Sequence, residues 1–207
     1  MEAEGRKAHW ETVYDTRAEN EVSWFQEDPA LSLDLIARAN LSPESAIVDI
    51  GAGASRLADA LLARGFRRLT VLDISQIALD VMALRLGRRA HEVRWIAADV
   101  TEWEPSGRYD LWHDRAAFHF LVEAGDRAAY IARLALALKA GGHAVIATFA
   151  ADGPEKCSGL PVNRYDPADL ARELGDGFTL IESRTHDHVT PANTKQRFQF
   201  SLFRKRA

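Results

Sequence analysis

The sequence predicts an α/β fold, with a mostly parallel sheet, helices on both faces and an antiparallel hairpin at the C-terminal end. Three observations predict it. Over residues 46–149, short apolar strand-like runs alternate with helix-length amphipathic segments, the pattern of βαβ units. The first run, Ile47-Val48-Asp49-Ile50, goes straight into Gly51-Ala52-Gly53 and then a helix. Near the C-terminus, two strand-like runs are joined only by Thr190-Pro191-Ala192-Asn193-Thr194, so they should pair antiparallel.

The elements follow in order. Residues 6–17 are expected to be helical, with Trp10, Val13 and Tyr14 on one face. Val22-Ser23-Trp24-Phe25-Gln26 is an aromatic loop. Asp28 and Pro29 suit the cap and first turn of a helix that Ser42-Pro43 ends. Strands are expected at 46–50, 69–73, 93–97, 109–114 and 143–149. Between them, helices are expected over 54–64, with Leu57, Leu61 and Leu62 inward, over 76–86 after a Ser75 cap, and over 125–139. A helix from Asp166-Pro167 to Leu174 precedes strands at 178–188 and 196–204. No linker divides the 207 residues, so the expectation is one domain over 1–207. It comprises an N-terminal cap segment (1–45), a core (46–150) and a last segment (151–207) carrying a loop, a helix and the hairpin.

The formal net charge of −4 does not suit a dedicated nucleic-acid binder, whose footprint is a basic face. Cys157 is the only cysteine, which excludes an intramolecular disulfide and a cysteine metal cluster. His186 and His188 alternate like strand ligands but lack a partner set, so no metal is expected. No apolar run approaches the ~18 residues of a membrane helix, and no secretory leader is visible. The expected location is the cytoplasm, without membrane partners.

Parallel sheets bind ligands at the carboxyl ends of their strands. Four acids fall at such ends: Asp49, Asp73, Asp99 and Asp114. Asp73 follows the glycine turn by ~20 residues, where an acid accepts hydrogen bonds from ribose hydroxyls. Asp99 could accept from an exocyclic amino group such as that of adenine. A dinucleotide fingerprint needs a third small residue, and Arg56 stands there instead. Asp49 just before the glycines would repel a pyrophosphate but suits an ammonium or sulfonium. S-adenosylmethionine has both and no phosphate, so it is the favoured ligand, ahead of a nicotinamide dinucleotide in an NAD(P)-dependent oxidoreductase.

These motifs resemble the first three of the class I S-adenosylmethionine-dependent methyltransferases: Asp49-x-Gly51-x-Gly53-x-Ser55, Asp73 in Val71-Leu72-Asp73-Ile74-Ser75, and Ala98-Asp99-Val100. Further stretches resemble small bacterial members related to the lysine methyltransferases of citrate synthase and elongation factor 1A. They are His9-Trp10-Glu11-x-x-Tyr14, Val22–Gln26, Asp114-Arg115-Ala116-x-Phe118-His119-Phe120-Leu121 and His188-x-Thr190-Pro191. Arg115 departs from the Lys-Gly that the eukaryotic enzymes tend to carry after the acid.

The resemblance implies a Rossmann-like, seven-stranded sheet and transfer of a methyl group, with S-adenosylhomocysteine as product. It implies that Gly51, Ala52 and Gly53 line the amino-acid end of the cofactor, Asp73 holds the ribose, and Ile74 packs on adenine. Asp99 and Val100 would meet the adenine edge, Asp114 would sit near the methyl, and Tyr14 and Trp24 would cover the cofactor. The acceptor, a small molecule or a protein side chain, stays open, as does a non-catalytic cofactor-binding role. His119, five residues past Asp114, is the candidate proton acceptor, alongside Asp114 as the candidate catalytic acid. His113 is expected to be structural and Cys157 a wall of the substrate side.

Overall fold

The computed structural model describes residues 3–207; the expected domain span and the N-terminal segment read for a leader begin with Met1 and Glu2, which lie outside them. Helices α1 (Ala3–Thr16), α2 (Ala30–Arg38), α3 (Leu57–Ala63), α4 (Gln76–Leu86), α5 (Ala124–Ala137) and α6 (Pro167–Leu174) surround the strands. These are β1 (Ala46–Ile50), β2 (Arg68–Asp73), β3 (Val93–Ala97), β4 (Tyr109–Arg115), β5 (Leu138–Phe149), β6 (Lys156–Cys157), β7 (Leu160–Pro161), β8 (Phe178–Val189) and β9 (Lys195–Lys205). Seven strands form one sheet in the order β3-β2-β1-β4-β5-β9-β8. β1 to β5 run parallel, while β9 is antiparallel to both β5 and β8. This is the expected architecture.

Strand alternation divides the core into two layers. Ile47, Leu69, Leu111, Val145 and Phe200 face α2, α3 and α4. Val48, Ile50, Trp112, Ile146 and Phe203 face α5 and α6. Caps fix several boundaries. Ser75 Oγ accepts the Ala78 N–H at the start of α4, and Asp166 accepts the Asp169 N–H at the start of α6.

Four local differences have physical reasons. α2 starts at Ala30 with Pro29 in the cap position and no side-chain cap bond, so Asp28 does not cap it. α3 starts at Leu57 rather than Ala54, because a turn closed by the Ser55 N–H on the Ala52 carbonyl prolongs the glycine bend. Leu138, read as helical, is the first residue of β5, so that strand is longer than expected. The short β6–β7 hairpin carried no sequence signal.

Candidate active site

The order of the sheet reverses at β1, which has β2 on one side and β4 on the other. A cleft opens at the carboxyl ends there, as such switch points dictate. Its non-atom space, open solvent at the mouth included, is about 740 Å³. A second chamber adjoins it and shares Trp24, Gly51 and Arg115.

Asp73 ends β2 on the wall of the cleft. Its Oδ2 accepts the Gly53 N–H at 2.7 Å and its Oδ1 the Ser75 N–H at 2.8 Å. Burial outweighs those two bonds and pushes its pKa up to about 6, with the Asp49 charge adding to the rise. Leu72, Ile74, Ala98 and Val100 make the wall beside it apolar, a slot for a planar base. Asp99 lies on the same wall, but its carboxylate is already engaged. Oδ1 accepts from the Thr101 N–H and hydroxyl, and Oδ2 accepts from Arg6 Nε at 2.9 Å. Arg6 also reaches Asp126 at 2.7 Å, tying α1 to α5. Arg6 was missed in the sequence because nothing local marks a partner 93 residues away.

Glu11 provides a second clasp. It accepts from Ser75 Oγ at 2.7 Å and from the Gln76 and Ile77 N–H groups, at the positive end of α4. Between the clasps, α1 presents Trp10 and Tyr14 to the cleft. Trp10 meets Trp24 at 5.6 Å and Phe120 at 5.0 Å, both edge to face. Tyr14 and Trp24 both line the cleft.

The glycines serve a packing need as well as a turn. Gly51 and Gly53 both have φ +57°, which favours glycine. A Cβ on Gly51 would meet Ala117 Cβ at 2.4 Å, and one on Gly53 would meet Tyr14 Oη at 2.1 Å. Gly51 lines both chambers, Ala52 lines the second, and Gly53 lies behind the wall with its N–H on Asp73.

Asp49 is 4% exposed and lines the second chamber. Its Oδ1 accepts from His113 Nδ1 at 2.7 Å, while Oδ2 is buried without a partner. His113 Nε2 meets Ser32 Oγ at 2.9 Å, so the ring is a structural prop, as expected. A buried carboxylate oxygen without a donor is costly. It fits a site awaiting a cationic group. The residues present therefore suit the amino-acid and adenosine ends of S-adenosylmethionine.

Two expectations are corrected. Asp114 is fully buried and does not line the cleft. It accepts the Ala117 and Phe118 N–H groups and, through Oδ2, the Tyr130 hydroxyl at 2.7 Å. It therefore ties β4 to the following turn and to α5; alternation points it away from Asp49's side of the sheet. His119 is likewise buried and off the cleft wall. Its Nδ1 accepts the Phe149 N–H, and burial, aided by the Arg115 charge, lowers its pKa to about 3. It is a neutral packing group, not a proton acceptor at neutral pH. Cys157 does line the cleft, and burial pushes its thiol up to about 12. Among the described residues, no group of three or more His, Cys, Asp or Glu could hold a metal, and no helix is long and apolar enough to cross a membrane.

The bridge from Trp112 Nε1 through Tyr130 Oη to Asp114 has a measurable weight. Tyr130→Phe is expected to leave two buried groups short of a partner. Stability in urea should fall by ~1–3 kcal/mol, with no change in nucleoside binding. A drop in nucleoside affinity would return Asp114 to the site.

Residues 47–142 match the family described as "Methyltransferase domain". Among curated proteins, an "eEF1A lysine and N-terminal methyltransferase" of Danio rerio is 25% identical over 146 residues, 69% of this chain and 21% of that protein. The chain spans about a fifth or less of the length of the curated relatives it matches. The N-methyltransferase NodS of Bradyrhizobium japonicum, solved with S-adenosyl-l-homocysteine, superposes with a TM-score of 0.71 at 18% identity, covering 95% of this chain and 98% of that one. The 1,6-didemethyltoxoflavin-N1-methyltransferase of Burkholderia thailandensis gives 0.72 at 21% identity, covering 100% and 92%. The chain thus shares the fold of these two methyltransferases, the Rossmann-like architecture that its motifs suggested. The cleft lies between α1 and the carboxyl ends of β1, β2 and β4.

Proposed function

We propose that this chain acts as one catalytic unit over 1–207 and methylates a small nitrogen nucleophile, with S-adenosylmethionine as donor. The donor supplies an electrophilic methyl on a sulfonium; the protein supplies position, shielding and charge. Asp73 accepts from the ribose diol, Ile74 and Val100 pack on the base, and Asp49 Oδ2 accepts from the ammonium. Asp99, fixed by Arg6, borders the adenine edge. The Trp10, Tyr14 and Trp24 rings flank the reacting end, where aromatic faces favour a cation and keep water out. Alignment of two bound reactants can supply ~7–11 kcal/mol of the barrier.

The observation that carries the acceptor class is the absence of a base among the residues lining that end of the cleft. The titratable groups lining the cleft are Arg6, Tyr14, Asp73, Asp99, Arg115 and Cys157; with Arg6, Asp73 and Asp99 assigned to the nucleoside, Tyr14, Arg115 and Cys157 are left. Burial raises the first far above its ordinary value and the last to about 12, and the guanidinium is a cation. None accepts a proton at neutral pH. The acceptor must therefore arrive with a free lone pair, as heteroaromatic nitrogens and aromatic amines do and a lysine ammonium does not. The aromatic lining suits a flat molecule. The toxoflavin-precursor enzyme, solved with a small heterocycle, is consistent with this reading; the elongation-factor enzymes favour a protein lysine. Arg56, held by Glu19 and Glu27, leaves no pyrophosphate cradle for a dinucleotide.

Transfer of labelled methyl from S-adenosylmethionine separates these. We expect turnover with a heteroaromatic amine at a rate nearly flat from pH 6.5 to 8.5. Turnover confined to a lysine-bearing protein, rising about tenfold per pH unit, would overturn the acceptor class.

A further inference from the structure

One charged side chain of the site has no role so far. Arg115 ends β4 on the face that also carries His113, with its guanidinium at the junction of the two chambers. Nη1 donates to the Trp24 carbonyl at 2.8 Å, and Phe198 lies beneath the plane at 5.1 Å. Nε and Nη2 are buried and without partners. Among the described residues, no carboxylate lies within ion-pair reach of it.

The unpaired atoms come in a complementary set. Asp49 lines the second chamber, and its Oδ2 is a buried acceptor without a donor. A buried guanidinium and a buried carboxylate oxygen, each without a partner, flank one cavity. The group that satisfies both is a zwitterion. The chamber's other guanidinium, Arg56, also has an unpartnered Nε, but Glu19 at 2.7 Å and Glu27 at 3.3 Å already engage its charge.

We propose that Arg115 holds the carboxylate of the donor's amino-acid end, with Asp49 on its ammonium. This rests on the donor assigned above. The guanidinium fork donates two parallel bonds to a carboxylate, and Phe198 and the Trp24 carbonyl hold that fork in place. The donor carboxylate also cancels a cation that would otherwise repel the sulfonium. Arg115 thereby selects the full amino-acid end over truncated thioethers.

Calorimetry with two ligands tests this. S-adenosylhomocysteine carries the zwitterion; 5′-methylthioadenosine keeps the nucleoside and lacks it. Arg115→Met is expected to weaken the first roughly 30- to 100-fold and to change the second by less than about twofold. Arg115→Lys, which keeps the charge but not the fork, should weaken the first about 3- to 10-fold and spare the second. Unchanged S-adenosylhomocysteine affinity in both variants overturns the proposal and assigns the guanidinium to the acceptor. Should Arg115→Met fail to fold, Arg115→Lys decides alone, since equal losses or no loss for the two ligands overturns it. Failure of the wild-type chain to bind either ligand would instead overturn the donor assignment.

Discussion

S-adenosylhomocysteine is expected to bind about tenfold more weakly at pH 5 than at pH 7, and Asp73→Asn to abolish that dependence. Burial holds Asp73 near a pKa of about 6 despite two N–H donors. The carboxylate is thus ~90% ionised at pH 7 and ~10% at pH 5. A ribose diol donates hydrogen bonds, so it binds the ionised form and draws the pKa down. Binding at pH 6 should then release a fraction of a proton, measurable by calorimetry in buffers of different ionisation enthalpy. At pH 7 the Asn variant should lose roughly 30- to 150-fold in affinity, because one amide NH2 faces a backbone donor where an acceptor stood. A pH-independent wild-type affinity would place the ribose elsewhere.

The same group makes a stability prediction of the opposite sign. A folded pKa above the unfolded ~3.9 means that the fold prefers the protonated acid. That contribution is complete below pH ~4 and is lost as pH rises through about 6. Asp114, pushed up to about 6 by burial, acts in the same direction. His119 acts against both: its lowered pKa means stability present above the ordinary histidine value and lost on acidification. The difference between wild type and Asp73→Asn is therefore the readout. It should move in favour of wild type as pH falls from 7 to 4.

The site was legible where chemistry is local and illegible where it is long-range. Asp73, Ile74 and Val100 stand on the cleft wall because strand-end positions at the carboxyl edge are set by the βα pattern itself. Ser75 and Gly87 bounded α4, and Asp166 with Pro167 bounded α6, because caps and glycine stops act within a few residues. Asp114 was misplaced by a single step of alternation. It and Arg115 both end β4, and only the face shared with His113 and Asp49 lines the chambers. The period of two, applied from Asp49's neighbour His113, would have selected Arg115. The burial of His119 depends on a tight turn at 118–120 that folds it under Phe149. The clasps of Arg6 and Glu11 join residues 93 and 64 apart, and no window of sequence holds both ends.

Gly53→Ala is expected to destabilise the chain by about 2–4 kcal/mol and to weaken nucleoside binding, with Tyr14→Phe restoring part of both. Two costs are separable. A side chain at φ +57° costs ~1–2 kcal/mol wherever it stands. The new Cβ would also lie 2.1 Å from Tyr14 Oη, so ring or turn must move. Overpacking of that kind costs a further ~1–3 kcal/mol. Movement of the turn withdraws the Gly53 N–H from Asp73 Oδ2, which carries the effect to the ribose position. Movement of the ring lifts α1 between its clasps at Arg6 and Glu11 and opens the aromatic roof. Removing the Tyr14 hydroxyl leaves Cζ at 3.1 Å as the nearest atom, a contact that a shift of a few tenths of an ångström relieves. The double variant should therefore keep the backbone cost and lose the steric one, a coupling of ~1–3 kcal/mol in a double-mutant cycle. Strictly additive losses in the double variant would show that Tyr14 does not rest on the glycine turn. The roof over the cleft would then be held by its clasps alone.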